Sequence, residues 1–133
     1  MTFLLDTHAF IWALSEPGKL PNKAKGVIED PHSEIFVSSV TFWEMAIKVR
    51  NKRLAPIGHP DSTPVATAIS TGFHPISLEP LEAATQGQLT EDTHFDPFDR
   101  MLICQAISRK LTLISGEKEF ERVRRDGLKL IWR

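Results

Sequence analysis

Asp6, Glu44, Asp99 and Glu117 are the residues whose types and positions suggest chemistry. Asp6 follows directly on the apolar run Phe3-Leu4-Leu5, and Glu44 comes shortly after a second such run, Ile35-Phe36-Val37. Glu117 comes just after the most strand-like run, Leu111 to Ser115, and Asp99 opens the helix that feeds that run. In open parallel sheets, ligands bind beyond the carboxyl ends of the strands, so all four acids are expected to face one crevice. Carboxylates packed together repel and resist ionising unless a cation joins them. Oxygen-only ligands select a hard divalent ion, Mg²⁺ or Mn²⁺, and no Cys–His pairing resembles a zinc set. Such an ion can lower the pKa of bound water, orient a phosphodiester and neutralise the leaving oxygen. That is the apparatus of a metal-dependent nuclease.

The stretch His94-Phe95-Asp96-Pro97-Phe98-Asp99-Arg100 places two carboxylates and a proline at the mouth of a helix running to about Lys110. Asp96 suits the N-cap, where a side-chain oxygen accepts a bond from a free amide of the first turn. Pro97 suits the first helical position, where no amide hydrogen is needed. Asp99 then sits in the first turn, where the helix dipole favours negative charge. One carboxylate would suffice for capping; the second suggests that something else is held here.

Each acid also has a structural alternative. Asp6 can cap the helix beginning near Thr7. Thr41 and Glu44 match a Ser/Thr-x-x-Glu capping box, and Glu44 with Lys48 makes an i,i+4 ion pair. Glu117 can be an N-terminal helix acid beside Gly116. His8 and His94 fit loop or helix-start histidines, and Lys48 to Arg53 fits a solvated helix end. The functional reading rests on the set.

The elements that must position these residues alternate. Strands are expected at Thr2–Leu5, Ile35–Ser38, His74–Leu78, Leu111–Ser115 and Leu128–Trp132. Helices are expected at about Ala9–Leu14, from Pro21 to Glu29, at Val40–Asn51, Thr63–Thr71 and Leu81–Leu89, from Pro97 to Lys110, and from Glu117 to Arg125. Pro17-Gly18, Asp30 to Ser33, Ala55 to Pro60 and Asp126-Gly127 break the pattern, and Thr90–His94 is a polar connector. On the helix after Val40, Phe42, Met45, Ala46 and Val49 share a face. Val40, Trp43 and Ile47 continue the apolar surface, leaving Thr41, Glu44, Lys48 and Asn51 as a narrow polar stripe. The helix after Asp96 is apolar nearly all round, as a central buried helix is. Strands alternating with helices argue an α/β fold: a parallel sheet with helices on both faces.

At 133 residues, 41% hydrophobic and 25% charged, the chain has the size and composition of a single globular domain spanning 1–133. The lone Cys104 excludes an internal disulfide and, among Met101, Leu102 and Ile103, reads as buried filler. The first apolar run is too short for a signal peptide or a membrane span, so a cytoplasmic protein is expected. A net charge of −1 gives no global basic field. Contacts to RNA phosphates would therefore use local clusters: Lys48, Arg50, Lys52 and Arg53, or Arg122, Arg124 and Arg125.

Several stretches together resemble PIN-domain ribonucleases, and within them VapC-type toxins of toxin–antitoxin pairs. They are Phe3 to His8, Val37 to Ser39 with Trp43 to Lys48, His94 to Ile103, Thr112 to Glu117, and the closing Leu130-Ile131-Trp132. The resemblance implies a PIN-like central parallel sheet of about five short strands flanked by helices. It implies an acidic pocket in which Asp6, Glu44 and Asp99 match the metal-site acids and Thr7 matches their usual hydroxyl neighbour. At the fourth position the family usually has Asp, where this chain has the longer Glu117; Arg100 is a supporting residue. It also implies homodimers, a small VapB-type antitoxin whose tail occupies the pocket, and contact with DNA only through that antitoxin. The expected activity is Mg²⁺-dependent endoribonucleolytic cleavage. A metal-activated water attacks phosphorus in line and the ribose 3′-oxygen leaves. Two rivals share the fold class: a non-catalytic RNA- or protein-binding module, and an aspartyl phosphotransferase using Asp6 as nucleophile with Lys118 beside the phosphate.

Overall fold

Alternating side chains on the central strands divide the core in two. In β1 (Thr2–Leu5), Phe3 and Leu5 point to one face and Leu4 to the other. In β2 (Glu34–Ser38), Ile35 and Val37 join Phe3 and Leu5, while Phe36 packs on the opposite cluster. Both faces are covered, which is why these strands read as continuous apolar runs.

The computed structural model describes residues 1–58, 61–85, 89 and 95–133. β1, β2, β3 (His74–Ile76), β4 (Thr112–Ile114) and β5 (Lys129–Ile131) form one sheet in the order β3-β2-β1-β4-β5, every pairing parallel. The chain moves outward from β1 through β2 to β3, then returns to the other side of β1 for β4 and β5. β1 and β4 therefore flank the point where the winding reverses, the usual place for a ligand crevice in such sheets.

The helices follow the expected positions with shifted ends. α1 (Thr7–Ser15) begins earlier than the apolar pattern suggested, because Asp6 caps it directly: its Oδ1 accepts from the Ala9 amide at 2.7 Å. α2 is Asn22–Glu29, α3 Ser39–Arg50 and α4 Pro64–Thr71, which ends on Gly72 at φ +99°. α5 (Pro80–Ala84) is shorter than the expected Leu81–Leu89, whose residues 86–88 lie outside the described residues, as does the Thr90–His94 connector. α6 (Pro97–Arg109) starts as expected: Asp96 Oδ1 accepts from the Asp99 amide at 2.9 Å. Leu102, Ile103, Cys104, Gln105 and Ala106 of α6 are buried, and burial pushes the Cys104 thiol up, as suits filler. The expected helix after Glu117 is a run of 3₁₀ turns, Lys118–Asp126.

Two features of α3 correct the sequence reading. Ser38, not Thr41, is the N-cap, its Oγ accepting from the Val40 amide at 3.0 Å, so Glu44 is free of a capping box. The polar seam also faces inward. Thr41 and Glu44 are buried, whereas Trp43, expected on the apolar surface, is 60% exposed and meets the Phe98 ring edge-on at 5.0 Å. A polar stripe turned toward the interior signals a site.

The far end of α6 is anchored by buried Glu82. Its carboxylate takes Arg109 Nε at 2.6 Å, the Glu79 amide at 2.8 Å and Gln105 Nε2 at 3.3 Å. Burial alone would raise this carboxyl; the Arg109, Glu79 and Gln105 bonds outweigh it and hold it below its usual range. Arg109 and Gln105 also donate to the Ser77 carbonyl, tying α5, the end of β3 and α6 together. Removing one partner of such a cluster leaves the others buried and unpaired. Glu82→Ala should therefore lower unfolding free energy by about 3 kcal/mol in chemical denaturation, whereas a surface change such as Glu29→Ala should leave it nearly unchanged.

Candidate active site

Asp6 sits at the reversal point because the β1–β4 ladder runs into it: its amide donates to the Ile114 carbonyl at 3.1 Å. Its side chain is buried, bonded to the Ala9 amide and to the Ser115 hydroxyl, with His8 and Glu117 close enough to act on its charge. Burial is the largest influence and Glu117 adds to it. The Ser115 and Ala9 bonds and His8 act the other way, and the net result is a carboxyl pushed up to about 6. The capping and site readings of Asp6 are thus the same arrangement: a helix start set at the carboxyl end of a central strand.

Glu44 reaches the same place from α3. Its Oε1 accepts from the Thr7 hydroxyl at 2.7 Å, and Thr7 lies 3.2 Å from the Thr41 hydroxyl. Its Oε2 pairs with Lys48 Nζ at 2.6 Å. Lys48 is therefore drawn toward the acid group by Glu44 rather than standing as a solvated helix end.

Asp99 completes the convergence. Burial pushes its carboxyl up first. The charge of Asp96, a hydrogen bond between the two carboxyls, and the charges of Glu44 and Asp6 push it further, to about 8. Asp96 therefore does more than cap α6. Through Asp6, Glu117 belongs to the same electrostatic group. The four acids singled out by sequence thus feel one another's charge in a chain, Glu117 with Asp6, and Asp6 and Glu44 with Asp99. Ser115 is a residue that sequence reasoning counted only as strand. It joins the group by bonding Asp6 and by accepting the Glu117 amide at 3.1 Å. Its position at a strand's carboxyl end, beside Gly116, was the available signal.

The donor set fits a hard divalent cation. It is all oxygen, it comes from four elements meeting at the carboxyl end of the central strands, and two of its carboxyls, Asp6 and Asp99, hold protons above their ordinary range, first through burial and then through neighbouring negative charge. Among the described residues no three acidic, histidine or cysteine side chains are gathered closely enough to ligate one ion as they stand. Both Glu44 oxygens are engaged by Thr7 and Lys48, and Asp6 Oδ1 by the Ala9 amide.

The remaining expected residues divide. Arg100 lies half-buried in the first turn of α6, its charge felt at Cys104. Arg50, Lys52 and Arg53 are exposed at the end of α3. Arg122 pairs with Glu119 at 2.6 Å, and Arg124 with Glu121 at 2.5 Å. His8 is exposed, 5.9 Å from the Trp12 ring, and His94 lies outside the described residues.

The PIN domain family model matches residues 3–126. The chain belongs to the PIN domain family. A curated relative, Ribonuclease VapC22 of Mycobacterium tuberculosis, is 25% identical over 134 residues, covering 98% of each chain. Among solved structures, VapBC2 from Rickettsia felis bound to a promoter DNA fragment matches with a TM-score of 0.70 at 16% identity, covering 100% of both chains. FitAcB from Neisseria gonorrhoeae matches with a TM-score of 0.57 at 18% identity, covering 98% of this chain and 96% of that one. The five-stranded parallel sheet is thus the PIN fold, kept at identities where little but the core pattern survives. No helix among the described residues is long and apolar enough to cross a membrane.

The raised Asp99 carboxyl makes stability depend on pH in a known direction. Between its unfolded value near 3.8 and its folded value of about 8, the folded chain holds more protons, so this group's contribution falls as pH rises. In chelator-treated buffer, Asp99→Asn should therefore melt higher than the parent at pH 8.5, by on the order of 1 kcal/mol. The gap should close near pH 4.5, where Asp99 is protonated in the fold. Parallel melting curves at the two pH values check this.

Proposed function

We propose that this chain is a Mg²⁺- or Mn²⁺-dependent endoribonuclease, the toxin of a toxin–antitoxin pair. The observation that supports this reading is the mutual charge influence of Asp6, Glu44 and Asp99, with Glu117 acting on Asp6, beside the reversal point of the sheet. Membership of the PIN family and a relative named as a ribonuclease support the activity. The proposed reaction is hydrolysis: water adds to phosphorus, the bond to the ribose 3′-oxygen breaks, and a 5′-phosphate and a 3′-hydroxyl result. No 2′-hydroxyl acts as nucleophile, so preference for RNA must come from contacts elsewhere.

Asp6, Glu44 and Asp99 would hold the cation, with Glu117, one methylene longer than the family's usual Asp, reaching it from the loop after β4. The bound ion supplies Lewis acidity and charge compensation for the phosphodiester. Thr7 orients Glu44 through its 2.7 Å bond. The Ala9 amide, donating to Asp6 Oδ1 at 2.7 Å, and Ser115 steady the Asp6 carboxyl. Asp99, pushed up to about 8, would have to be ionised to serve as a ligand. Lys48, held beside the acids by its pair with Glu44, would contact a substrate phosphate, with Arg50, Lys52 and Arg53 further along and Arg100 supporting the pocket rim.

Solved relatives that are VapBC and FitAB complexes support a VapB-type antitoxin as partner, with DNA reached only through it. A homodimer, one domain over residues 1–133 and a cytoplasmic setting complete the reading. Asp6→Asn and Asp99→Asn should each lower cleavage of single-stranded RNA by roughly 100-fold or more while preserving the circular-dichroism spectrum. Undiminished cleavage in both variants contradicts the site. Millimolar Mg²⁺ should raise the melting temperature of the parent by mass action. Absence of both the shift and cleavage would favour a non-catalytic binding module on the same fold.

A further inference from the structure

Asp6 and Glu117 open into a cleft of about 340 Å³ whose other boundary is Trp12, Trp132, Lys19 and Arg133. The two indoles are half-buried, 6.0 Å apart between ring centroids and inclined at 43°. Lys19 Nζ stands 5.6 Å from the centre of the Trp12 ring and also pairs with the exposed Glu16. Trp132 is held against the loop that carries Ser115 and Glu117. A Cβ added at Gly116 would lie 2.7 Å from Trp132 Cε2, and the Ala24 amide donates to the Trp132 carbonyl at 3.2 Å. Only a residue without a side chain at 116 lets the indole approach so closely. A second cleft, sharing Gly116, Glu117, Trp132 and Arg133, continues past Lys23 and Lys118.

Four carboxylates repel a phosphodiester strand, so a substrate must gain its affinity beside them. The basic residues expected to provide it are partly committed elsewhere: Lys48 to Glu44, Arg122 to Glu119 and Arg124 to Glu121. Fixed aromatic faces interleaved with cations are the means by which proteins hold single strands, because every base has a π-face and stacks without regard to sequence. A base inside a duplex already stacks on its neighbours and cannot use an indole.

We infer that this cleft binds the unpaired nucleotide next to the scissile phosphate, with its base on the Trp12–Trp132 wall and its phosphate against Lys19 and Arg133. The inference rests on the nuclease reading above and assigns the wall on which that site's base stacks. Gly116 acts as a positioning residue, through Trp132.

The test is fluorescence anisotropy with a labelled single-stranded oligoribonucleotide and with a duplex of the same sequence. It is done in an Asp99→Asn background, where the RNA stays uncut. Trp12→Ala should weaken binding of the single strand roughly tenfold and Trp12→Phe less than about threefold, with weak duplex binding unchanged by either. Lys19→Ala, at an exposed position, should weaken binding several-fold and flatten its salt dependence. It keeps the test open should Trp12→Ala fail to fold. Unchanged affinity in Lys19→Ala together with unchanged affinity in any folded Trp12→Ala overturns the inference, as does equal loss for strand and duplex. A parent chain that cuts single-stranded RNA while these variants bind normally refutes the wall alone. A parent chain that neither binds nor cuts RNA refutes the nuclease reading as well.

Discussion

Burial of carboxyls where a parallel sheet reverses its winding, with mutual repulsion added to it, is the constraint on which the rest of this molecule depends. Burial and proximity together push Asp99 to about 8 and Asp6 to about 6. Placing such a group at the carboxyl ends of the central strands costs stability, and the scaffold is built to bear that cost. β1 delivers Asp6 through the ladder with β4, Asp96 sets the start of α6, and the Glu82–Arg109 cluster pins its other end. Function and strain thus sit at one place, while the two apolar clusters on either side of the sheet supply the stability.

The strands and most helices were legible in the sequence because both of their signals are local. The apolar runs 3–5, 35–37 and 111–114 are short and bounded by polar or turn residues, and strands covered on both faces have this form. Asp96-Pro97 marks a helix start that the structure reproduces residue for residue. What failed was judgement of direction. Thr41, Glu44 and Lys48 form a polar stripe, and polarity alone cannot tell whether it faces solvent or a buried cup. Trp43 continues the helix's apolar surface in sequence yet stands 60% exposed for the same reason. The true cap, Ser38, lies two residues before the expected helix and competes with a capping-box pattern that matches by chance.

Of the site, the four acids were visible because strand-end acids are unusual and their sequence positions can be projected onto a topology. Ser115, and the wall built from Trp12, Trp132 and Gly116, were not. Their roles depend on long-range approach, residues 12 and 132 meeting across most of the chain, and no local pattern encodes that. Solved structures at 16% and 18% identity share the fold, and a fold by itself leaves the chemistry to the particular residues set on it.

Proton release on cation binding tests the coupled cup most directly. With Asp99 near 8 and Asp6 near 6, a divalent ion that joins the carboxylates at pH 7 must displace about one proton per site. Calorimetric titration with Mn²⁺ in buffers of differing ionisation enthalpy reads that number. A value near one, vanishing in Asp99→Asn, is the expected result. Binding without proton release, or release unaffected by Asp99→Asn, would contradict it.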